Sequence, residues 1–287
     1  MMILDGKAAA KKVQNAIALE IAQSSLKRPP GIAFVLVGDN PASKSYIKTK
    51  KKRCQEIGFQ SFDQELPANI PEAQLLQSIQ RLNNDPQVDG ILVQLPLPSH
   101  LNSIKVLQTV DPSKDIDGFH PLNMGKLLLG QEGGFWPCTP YGILELLHQY
   151  EITLENKHVV IVGRSNIVGK PLAVLCGQKR PGLNATVTLA HSQTPNLASY
   201  CKSADVLIAA VGSPHLIKQN MVKQGAIVID VGITRSTSGH LVGDVDFEAV
   251  APLTSAITPV PGGVGPMTIA MLLKNTWESY KRRFDSD

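Results

Sequence analysis

The stretch "VVIVGRSNIVGKP", residues 159–171, decides the fold class of the second half of the chain. An apolar run leads into Gly163, and Gly169 precedes a segment of helical composition. Glycines between a buried strand and a helix leave backbone N–H groups and a helix N-terminus available to a pyrophosphate. The match to the G-x-G-x-x-G fingerprint is incomplete because Ser165 replaces the middle glycine, so the pattern alone leaves a tight structural turn as an equal alternative.

The residues after the next strand indicate which dinucleotide would bind. "ATVTLAHS" ends in His191 and Ser192, where an NAD-selective fold would carry an acid for the ribose hydroxyls. Arg164, inside the glycine loop, offers a guanidinium that can pair with a 2′-phosphate. We therefore predict NADP rather than NAD, with a surface ion pair as the alternative role for Arg164.

Strand and helix patterns alternate on both sides of this stretch. Buried strands are predicted in "GIAFVLVG", "VDGILVQLPLP", "ATVTLA", "DVLIAAVG" and "GAIVIDVG". A helix is predicted over 6–23, and a second helix has Asn40 as its N-cap and Pro41 at its first position. This order predicts an α/β protein of two domains with mainly parallel sheets.

The Gly- and Pro-rich segment "GQEGGFWPCTPYG" is the predicted boundary. We expect a first domain of residues 1–139 and 267–287 and a Rossmann-type second domain of residues 140–266. Periodicity does not decide whether the final helix packs on the first domain.

Charge and composition exclude several classes of protein. The 287 residues carry a net charge of +4 from 28 basic and 24 acidic residues, too small a balance for a nucleic-acid partner. No apolar run approaches the ~20 residues that span a bilayer, so we expect no membrane partner and a cytoplasmic location. The cysteines are scattered without zinc-ligand spacing, which predicts reduced thiols and no metal site: Cys54, Cys138, Cys176 and Cys201.

The segment "SKSYIKTKKKR", residues 43–53, contains a candidate reactive amine. At about 100° per residue, one helix stripe holds Ala42, Tyr46, Lys50, Cys54 and Ile57. The opposite side holds Lys44, Lys48, Lys51 and Lys52. Lys50 thus faces inward, although a lysine that extends its amine to solvent is the alternative.

Three other polar segments are candidate site residues. Gln94 interrupts a buried strand near its carboxyl end, where ligands approach open α/β sheets. "DPSKDIDGF" contains Asp117 together with Asp111 and Asp115, which also suit turns and caps. "TPVPGGVGPMT" predicts either a loop with unusual backbone angles or a close approach by a flat ligand. Cys138, between prolines and without a neighbouring base, is interpreted as packing.

These motifs together resemble one family. "SYIKTK", "VQLPLP", "KDIDGF", "PCTP", "GRSNIVGKP", "GDVDF" and "PVPGGVGPMT" occur in the order found in bifunctional methylenetetrahydrofolate dehydrogenase/methenyltetrahydrofolate cyclohydrolases of the bacterial FolD type. The resemblance spans nearly the whole chain. Tyr141, after "PCTP", departs from the family pattern outside the motifs that carry the chemistry.

The resemblance implies a folate cleft between the two domains. Tyr46 would stack on the folate, Asp117 would bind the pterin, and Lys50 with Gln94 would lie near the one-carbon unit. Further substrate contacts implied are Ser43, Leu95, Pro96, Pro261, Gly262, Gly263 and Thr268. The implied NADP contacts are Gly163, Arg164, Ser165, Ile167, Val168, Gly169, His191, Ser192, Gly212, Gly232 and Ile233. A homodimer formed through the second domain is implied as well.

The implied chemistry gives Lys50 a defined task. Hydride transfer from the methylene group leaves a methenyl cation, which water converts to a formyl group. Burial and the cation's charge would lower the pKa of Lys50 and leave a neutral amine that takes a proton from water. The alternatives are a monofunctional folate dehydrogenase, another NADP-dependent dehydrogenase, or a non-catalytic nucleotide-binding module. The joint presence of Lys50, Gln94 and Asp117 favours both reactions.

The exposed lysines of the same helix support a separate hypothesis. Folates with polyglutamate tails are strongly anionic, and a basic helix face would attract them in a salt-dependent way. The alternative is an ordinary solvated face.

Overall fold

The computed structural model describes residues 1–236 and 239–284 of the chain; the side chain of Ala42 also lies outside the described part. The chain forms two compact units. The large-sheet unit contains Met1–Lys11 and Pro137–Thr268, and the small-sheet unit contains Lys12–Trp136 and Ile269–Asp287.

The secondary structure alternates as the sequence predicts. The helices are α1 Gly6–Gln23, α2 Pro41–Glu56, α3 Glu72–Asn84, α4 Ser103–Thr109, α5 Pro121–Leu128, α6 Cys138–Gln149, α7 Gly169–Gly177, α8 Leu197–Ser203, α9 Phe247–Val250 and α10 Val264–Phe284. The strands are β1 Met2–Ile3, β2 Gly31–Val37, β3 Gln60–Leu66, β4 Gly90–Val93, β5 His158–Val162, β6 Thr186–Ala190, β7 Val206–Ala209, β8 Ile227–Asp230, β9 Thr234–Arg235, β10 Leu241–Val242 and β11 Ala256–Ile257.

The small-sheet unit is built on three parallel strands in the order β3-β2-β4. Every residue of the central strand β2 is buried, as expected for a parallel strand covered on both faces. Its core is formed by apolar side chains from β2, β4, α3 and α4, among them Val35, Leu75, Ile79, Ile91 and Val106. Ile91 also forms a parallel bridge with Asp115, so the chain at 115–118 leaves the sheet beside the end of β4.

The final helix completes the small-sheet unit, which answers the question that periodicity left open. Trp277 of α10 donates a hydrogen bond from Nε1 to Glu20 of α1 at 2.6 Å. Buried Asn275 donates to the carbonyls of Ile116 and Trp136 at 2.8 and 3.1 Å. These polar contacts fix the helix against α1 and against the chain at Ile116 and Trp136. The helix begins at Val264, within the glycine-rich segment "TPVPGGVGPMT" itself.

The large-sheet unit contains a six-stranded parallel sheet in the order β1-β11-β8-β7-β5-β6. Strand order reverses at β5, because β6 lies on one side of it and β7 on the other. Ligands of open α/β sheets bind outside the carboxyl ends of the strands at such a reversal. The loop after β5 is the predicted glycine loop.

The compact units differ from the predicted domain ranges at the amino terminus. Residues 1–11 belong to the large-sheet unit, because β1 pairs with β11 through Met2 and Ala256. A two-residue edge strand leaves too short an apolar pattern for the sequence to reveal this pairing. Among the described helices, none has the length and apolar content needed to cross a bilayer.

Candidate active site

Lys50 is a buried amine in contact with two predicted partners in the small-sheet unit. Only 5% of Lys50 is exposed. Its Nζ lies 3.4 Å from Oε1 of Gln94, to which it donates, and 4.4 Å from the centre of the Tyr46 ring. The structure therefore brings Lys50, Gln94 and Tyr46 together.

Local sequence explains why Lys50 faces inward. Asn40 caps α2 by accepting a hydrogen bond from the Ser43 backbone N–H at 3.1 Å, and Pro41 begins the helix, as predicted. Cys54 is fully buried one helical turn after Lys50, whereas Lys48 is exposed. Burial raises the pKa of the Cys54 thiol to about 12, against the opposing charge of Lys50, so this neighbouring thiol is not nucleophilic.

Gln94 lies directly after β4 and uses both ends of its amide. Its Nε2 donates to the Leu95 carbonyl at 2.6 Å, which turns Oε1 towards Lys50. Its backbone N–H continues the sheet ladder to Val35 at 2.9 Å. Leu95 is half-buried and Pro96 is exposed beside it, at the carboxyl edge where ligands approach.

The acidic loop separates into two structural aspartates and one partly exposed aspartate. Asp115 is 4% exposed and accepts hydrogen bonds from the backbone N–H groups of Phe119 and His120 and from Asn123. Burial raises the pKa of this carboxyl, and those hydrogen bonds oppose the rise.

Asp111 accepts hydrogen bonds from the backbone N–H and the hydroxyl of Ser113, as expected for a residue that stabilises a turn. Asp117 is half-buried before Gly118, whose φ of +73° turns the chain. Its position beside the end of β4 suits a ligand contact.

The remaining substrate-contact candidates have different environments. Ser43 is buried at the start of α2. The others belong to the large-sheet unit, where Pro261 is exposed and the Thr268 hydroxyl lies 3.0 Å from that of Thr139. Gly262 has a φ of +108°, and its carbonyl accepts from the Lys7 backbone N–H at 3.1 Å. This segment therefore does have the unusual backbone angles that its glycines predict.

The loop after β5 is tight at both of its glycines. A Cβ atom on Gly163 would overlap the carbonyl of Ala210, and one on Gly169 would overlap the carbonyl of Gly163. Ser165 accepts hydrogen bonds at Oγ from the N–H groups of Val168 and Gly169, at 3.1 and 3.4 Å. The serine in place of glycine is thus an internal cap, and these two N–H groups are already bonded within the protein.

The predicted cofactor contacts converge on one edge of the large sheet. Arg164 and Ile167 are exposed in the loop after β5, and His191 and Ser192 follow β6. Gly212 lies beyond the end of β7, and Gly232 and Ile233 follow β8. Because the strands are parallel, all these positions lie at their carboxyl ends.

Sequence reasoning missed two buried carboxyl groups at this edge. Asp230 ends β8 and is 4% exposed, and Asp244 is fully buried. Burial, aided by the charge of Asp244, raises the pKa of Asp230 to about 6, while backbone N–H groups oppose the rise. The available signal was an acid closing the apolar run "GAIVID", comparable to Gln94 in its strand.

Comparison with known proteins agrees with this geometry. The tetrahydrofolate dehydrogenase/cyclohydrolase catalytic domain matches residues 4–117, and the NAD(P)-binding domain of the same family matches residues 137–284. The chain belongs to the tetrahydrofolate dehydrogenase/cyclohydrolase family. Its relatives include the bifunctional protein FolD of Chlamydia abortus, 55% identical over 98% of this chain and 99% of that protein. The FolD protein of Sulfurihydrogenibium is 53% identical over 99% of both chains.

Solved structures of family members share the fold. The bifunctional FolD enzyme of Campylobacter jejuni superposes with a TM-score of 0.94 at 50% identity and covers 99% of this chain and all of its own. The Trypanosoma brucei FolD enzyme, solved with NADP and an inhibitor, gives a TM-score of 0.92 at 37% identity, covering 99% of this chain and 98% of that one. The predicted fold class and family are confirmed.

Proposed function

We propose that this chain oxidises 5,10-methylenetetrahydrofolate to 5,10-methenyltetrahydrofolate with NADP+ and hydrolyses that product to 10-formyltetrahydrofolate. The observation that carries the proposal is the buried Lys50 amine, held between Gln94 and the Tyr46 ring in a member of this family. Its 10-formyl product would serve one-carbon metabolism, including purine biosynthesis.

The large-sheet unit fits NADP. At Gly163 and Gly169 the backbone approaches so closely that a side chain would not fit, and the loop lies at the reversal of strand order. We assign the cofactor to Gly163, Arg164, Ser165, Ile167, Val168, Gly169, His191, Ser192, Gly212, Gly232 and Ile233. When bound, NADP+ supplies the hydride acceptor for the oxidation step. The exposed Arg164 would bind the 2′-phosphate, since His191 and Ser192 take the positions after β6 where an acid would repel that phosphate.

The small-sheet unit supplies the main folate contacts. Tyr46 offers an aromatic face for stacking, and the Asp117 carboxylate can accept two hydrogen bonds from the amino-pyrimidine edge of the pterin. We assign further substrate contacts to Ser43, Leu95, Pro96, Pro261, Gly262, Gly263 and Thr268. Positioning by these residues is the chain's contribution to the oxidation step.

Lys50 would act as the base in hydrolysis. Burial disfavours its ammonium form, contact with the Tyr46 ring favours it, and an adjacent methenyl cation disfavours it strongly. The neutral amine takes a proton as the water oxygen bonds to the methenyl carbon. The bond from that carbon to N5 then breaks as the lysine ammonium returns its proton to N5, and the remaining hydroxyl proton passes to water, which leaves the formyl group on N10. Gln94 orients the amine through Oε1 without adding charge.

Location and assembly are proposed from the cysteines and from the family resemblance. The four cysteines are buried free thiols, which suits a reducing cytoplasm. We propose a homodimer through the large-sheet unit on the basis of family resemblance, with tetrahydrofolate derivatives as the ligands and no nucleic-acid or membrane partner. Light scattering during size-exclusion chromatography measures the dimer directly.

One absorbance experiment tests the function. Purified protein mixed with methylenetetrahydrofolate and NADP+ is expected to form NADPH together with methenyl absorbance that then decays. Methenyl absorbance without accelerated decay would indicate a monofunctional dehydrogenase. NADPH binding without turnover of this folate would indicate another dehydrogenase or a non-catalytic module.

A further inference from the structure

We propose that Asp230 and Asp244 are positioning residues, whose buried carboxylates hold the loops after β7 and β8 in the shape that binds NADP. The inference rests on the proposed function, because it takes Gly212, Gly232 and Ile233 as cofactor contacts. The two carboxylates would hold those contacts in place before the cofactor arrives.

Asp244 shapes the loop after β7. Its Oδ2 accepts hydrogen bonds from the backbone N–H groups of Val211 and Gly212 at 2.7 and 3.1 Å, and its Oδ1 accepts from that of Ser213 at 2.8 Å. Three consecutive amides therefore converge on one fully buried carboxylate. The side chains of Val211 and Ser213 remain exposed, so the loop is fixed from its inner side and open on its outer side.

Asp230 likewise binds backbone N–H groups of the loop after β8 and of Asp244 itself. Its Oδ1 accepts from the backbone N–H groups of Gly232 and Asp244 at 3.1 and 2.9 Å, and its Oδ2 accepts from that of Val245 at 2.9 Å. The Thr258 hydroxyl accepts from the backbone N–H of Asp230 at 2.7 Å. The two aspartates thus form one connected network that ends at both proposed cofactor loops.

The glycines beside this network leave no room for a side chain. A Cβ atom on Gly232 would overlap the Asp244 carboxyl group, and one on Gly243 would overlap that of Asp230. The backbone of each glycine therefore packs directly on a carboxylate. This close packing explains why "DVG" and "GDVD" have glycine at these positions.

The choice of acid over amide carries the functional part of the inference. Each carboxylate receives three N–H donors, and an asparagine would present its NH₂ group to at least one of them. Two neighbouring buried acids also repel each other, and a turn with only a structural role would not need this unfavourable electrostatic interaction. The acid pair lies at the carboxyl edge of the sheet, which indicates that binding needs the loop shape that the pair maintains.

The test compares cofactor binding with an activity that needs no cofactor. Asp244→Asn is expected to raise the Kd for NADPH, measured by NADPH fluorescence with folate-free protein, by about tenfold or more, since bonds to a charged acceptor are lost. The KM for NADP+ should rise in parallel. Cyclohydrolase turnover of supplied methenyltetrahydrofolate, without NADP+, should stay within about twofold of wild type.

Matched variants separate the possible outcomes. Asp205→Asn removes a carboxylate that binds the His158 N–H at the opposite end of the same sheet, and it should leave the NADPH Kd unchanged. An unchanged Kd in folded Asp244→Asn protein overturns the inference. An unchanged Kd in Ile233→Ala instead contradicts the proposed cofactor contact on which the inference rests.

Wild-type protein provides a test if the variant does not fold. In ligand-free protein the amides of Val211, Gly212 and Ser213 should exchange with deuterium at least about 100-fold more slowly than in a free peptide, because the carboxylate already binds them. Exchange at free-peptide rates, followed by protection only when NADPH is added, would mean that the cofactor shapes the loop and would overturn the inference.

Discussion

At the residue scale, burial distinguishes Lys50 from the other lysines of its helix. Lys48 lies two residues away and is exposed, whereas Lys50 is 5% exposed and contacts Gln94 and Tyr46. The same side-chain chemistry therefore meets two different environments on one helix. Lys50 thus combines burial with a hydrogen bond to Gln94 that fixes the direction of its amine.

Lys50→Met should separate the two activities. Loss of a general base is expected to reduce cyclohydrolase turnover by at least about 100-fold, whereas hydride transfer mainly needs positioning of the two ligands. Any surviving dehydrogenase activity would then accumulate methenyltetrahydrofolate, visible by absorbance. Lys50→Arg should not restore hydrolysis, because guanidinium stays charged. Lys48→Met is the matched control, and normal hydrolysis in a folded Lys50→Met protein would contradict the assignment.

Arg164→Ala should change cofactor preference. Removal of charge-assisted bonds to a 2′-phosphate is expected to raise the KM for NADP+ by about 10- to 100-fold. The KM for NAD+ should change by no more than about twofold, since NAD+ lacks that phosphate. Steady-state kinetics with both cofactors measure the ratio, and equal losses for both would remove the 2′-phosphate assignment.

Titration of Asp230 should make the free energy of unfolding depend on pH. Its folded-state pKa of about 6 lies above the value near 3.9 expected when unfolded, so its stabilising contribution is complete below about pH 4 and disappears as pH rises through 6. The free energy of unfolding of wild type, measured relative to that of Asp230→Asn, should therefore decrease by roughly 2 to 3 kcal/mol from pH 4 to pH 7.

Urea unfolding at several pH values measures this difference. Asp205→Asn is the control, because hydrogen bonds from the His158 backbone and Lys223 lower the pKa of Asp205 and place its titration below this range. A difference for Asp230→Asn that stays constant or grows with pH would contradict the expected sign.

At the element scale, the sequence predicts buried strands and amphipathic helices well. The predicted helix over 6–23 matches α1, and the apolar runs match β2, β4, β5, β6, β7 and β8. The sequence "QSFDQEL" gave no strand signal, yet it forms β3. This edge strand is half exposed and pairs along its length with buried β2, a long-range contact that local polarity conceals.

Candidate site residues could be predicted where a polar side chain departs from an apolar pattern. Lys50 and Gln94 were singled out in this way, and the structure places them in contact. The cap formed by Ser165 was missed, because the fingerprint treats that position as a glycine. The partners of Asp244 were missed because their N–H groups lie far away in sequence.

The basic face of α2 should attract polyglutamate tails. All four lysines line a cavity of about 560 Å³ on this face, and two of them, Lys44 and Lys51, already pair with Asp39 and Asp63 at 2.7 Å. Each exposed pair contributes at most about 1 kcal/mol, so we expect roughly fivefold tighter binding of a polyglutamate than of a monoglutamate at low salt.

Calorimetric titration with both folates measures this preference. Replacing Lys48 and Lys52 by glutamine should abolish it, and so should high salt, whereas replacing the exposed Lys11 and Lys12 of α1 should not. Equal affinities for the two folates at low salt would identify an ordinary solvated face.

At the scale of the whole molecule, neither unit is a continuous stretch of chain. The large-sheet unit takes its edge strand from the first residues, and the small-sheet unit takes most of α10 from the last residues. Met2 pairs with Ala256, and Asn275 binds the carbonyl of Ile116. Both units are therefore closed by contacts between distant parts of the sequence.

This interleaving governs what can happen while the ribosome is still translating. A nascent chain stalled after residue 250 lacks β11 and α10, so β1 has no partner and the buried polar contacts of Asn275 do not exist. We expect protease to cleave the chain rapidly at that stage, both near β1 and near Ile116. Both regions should become resistant once residue 284 has left the exit tunnel. Full protection of the stalled chain would contradict this order. Premature termination late in the message should thus destroy both activities together, and no fragment released early would carry one of them alone.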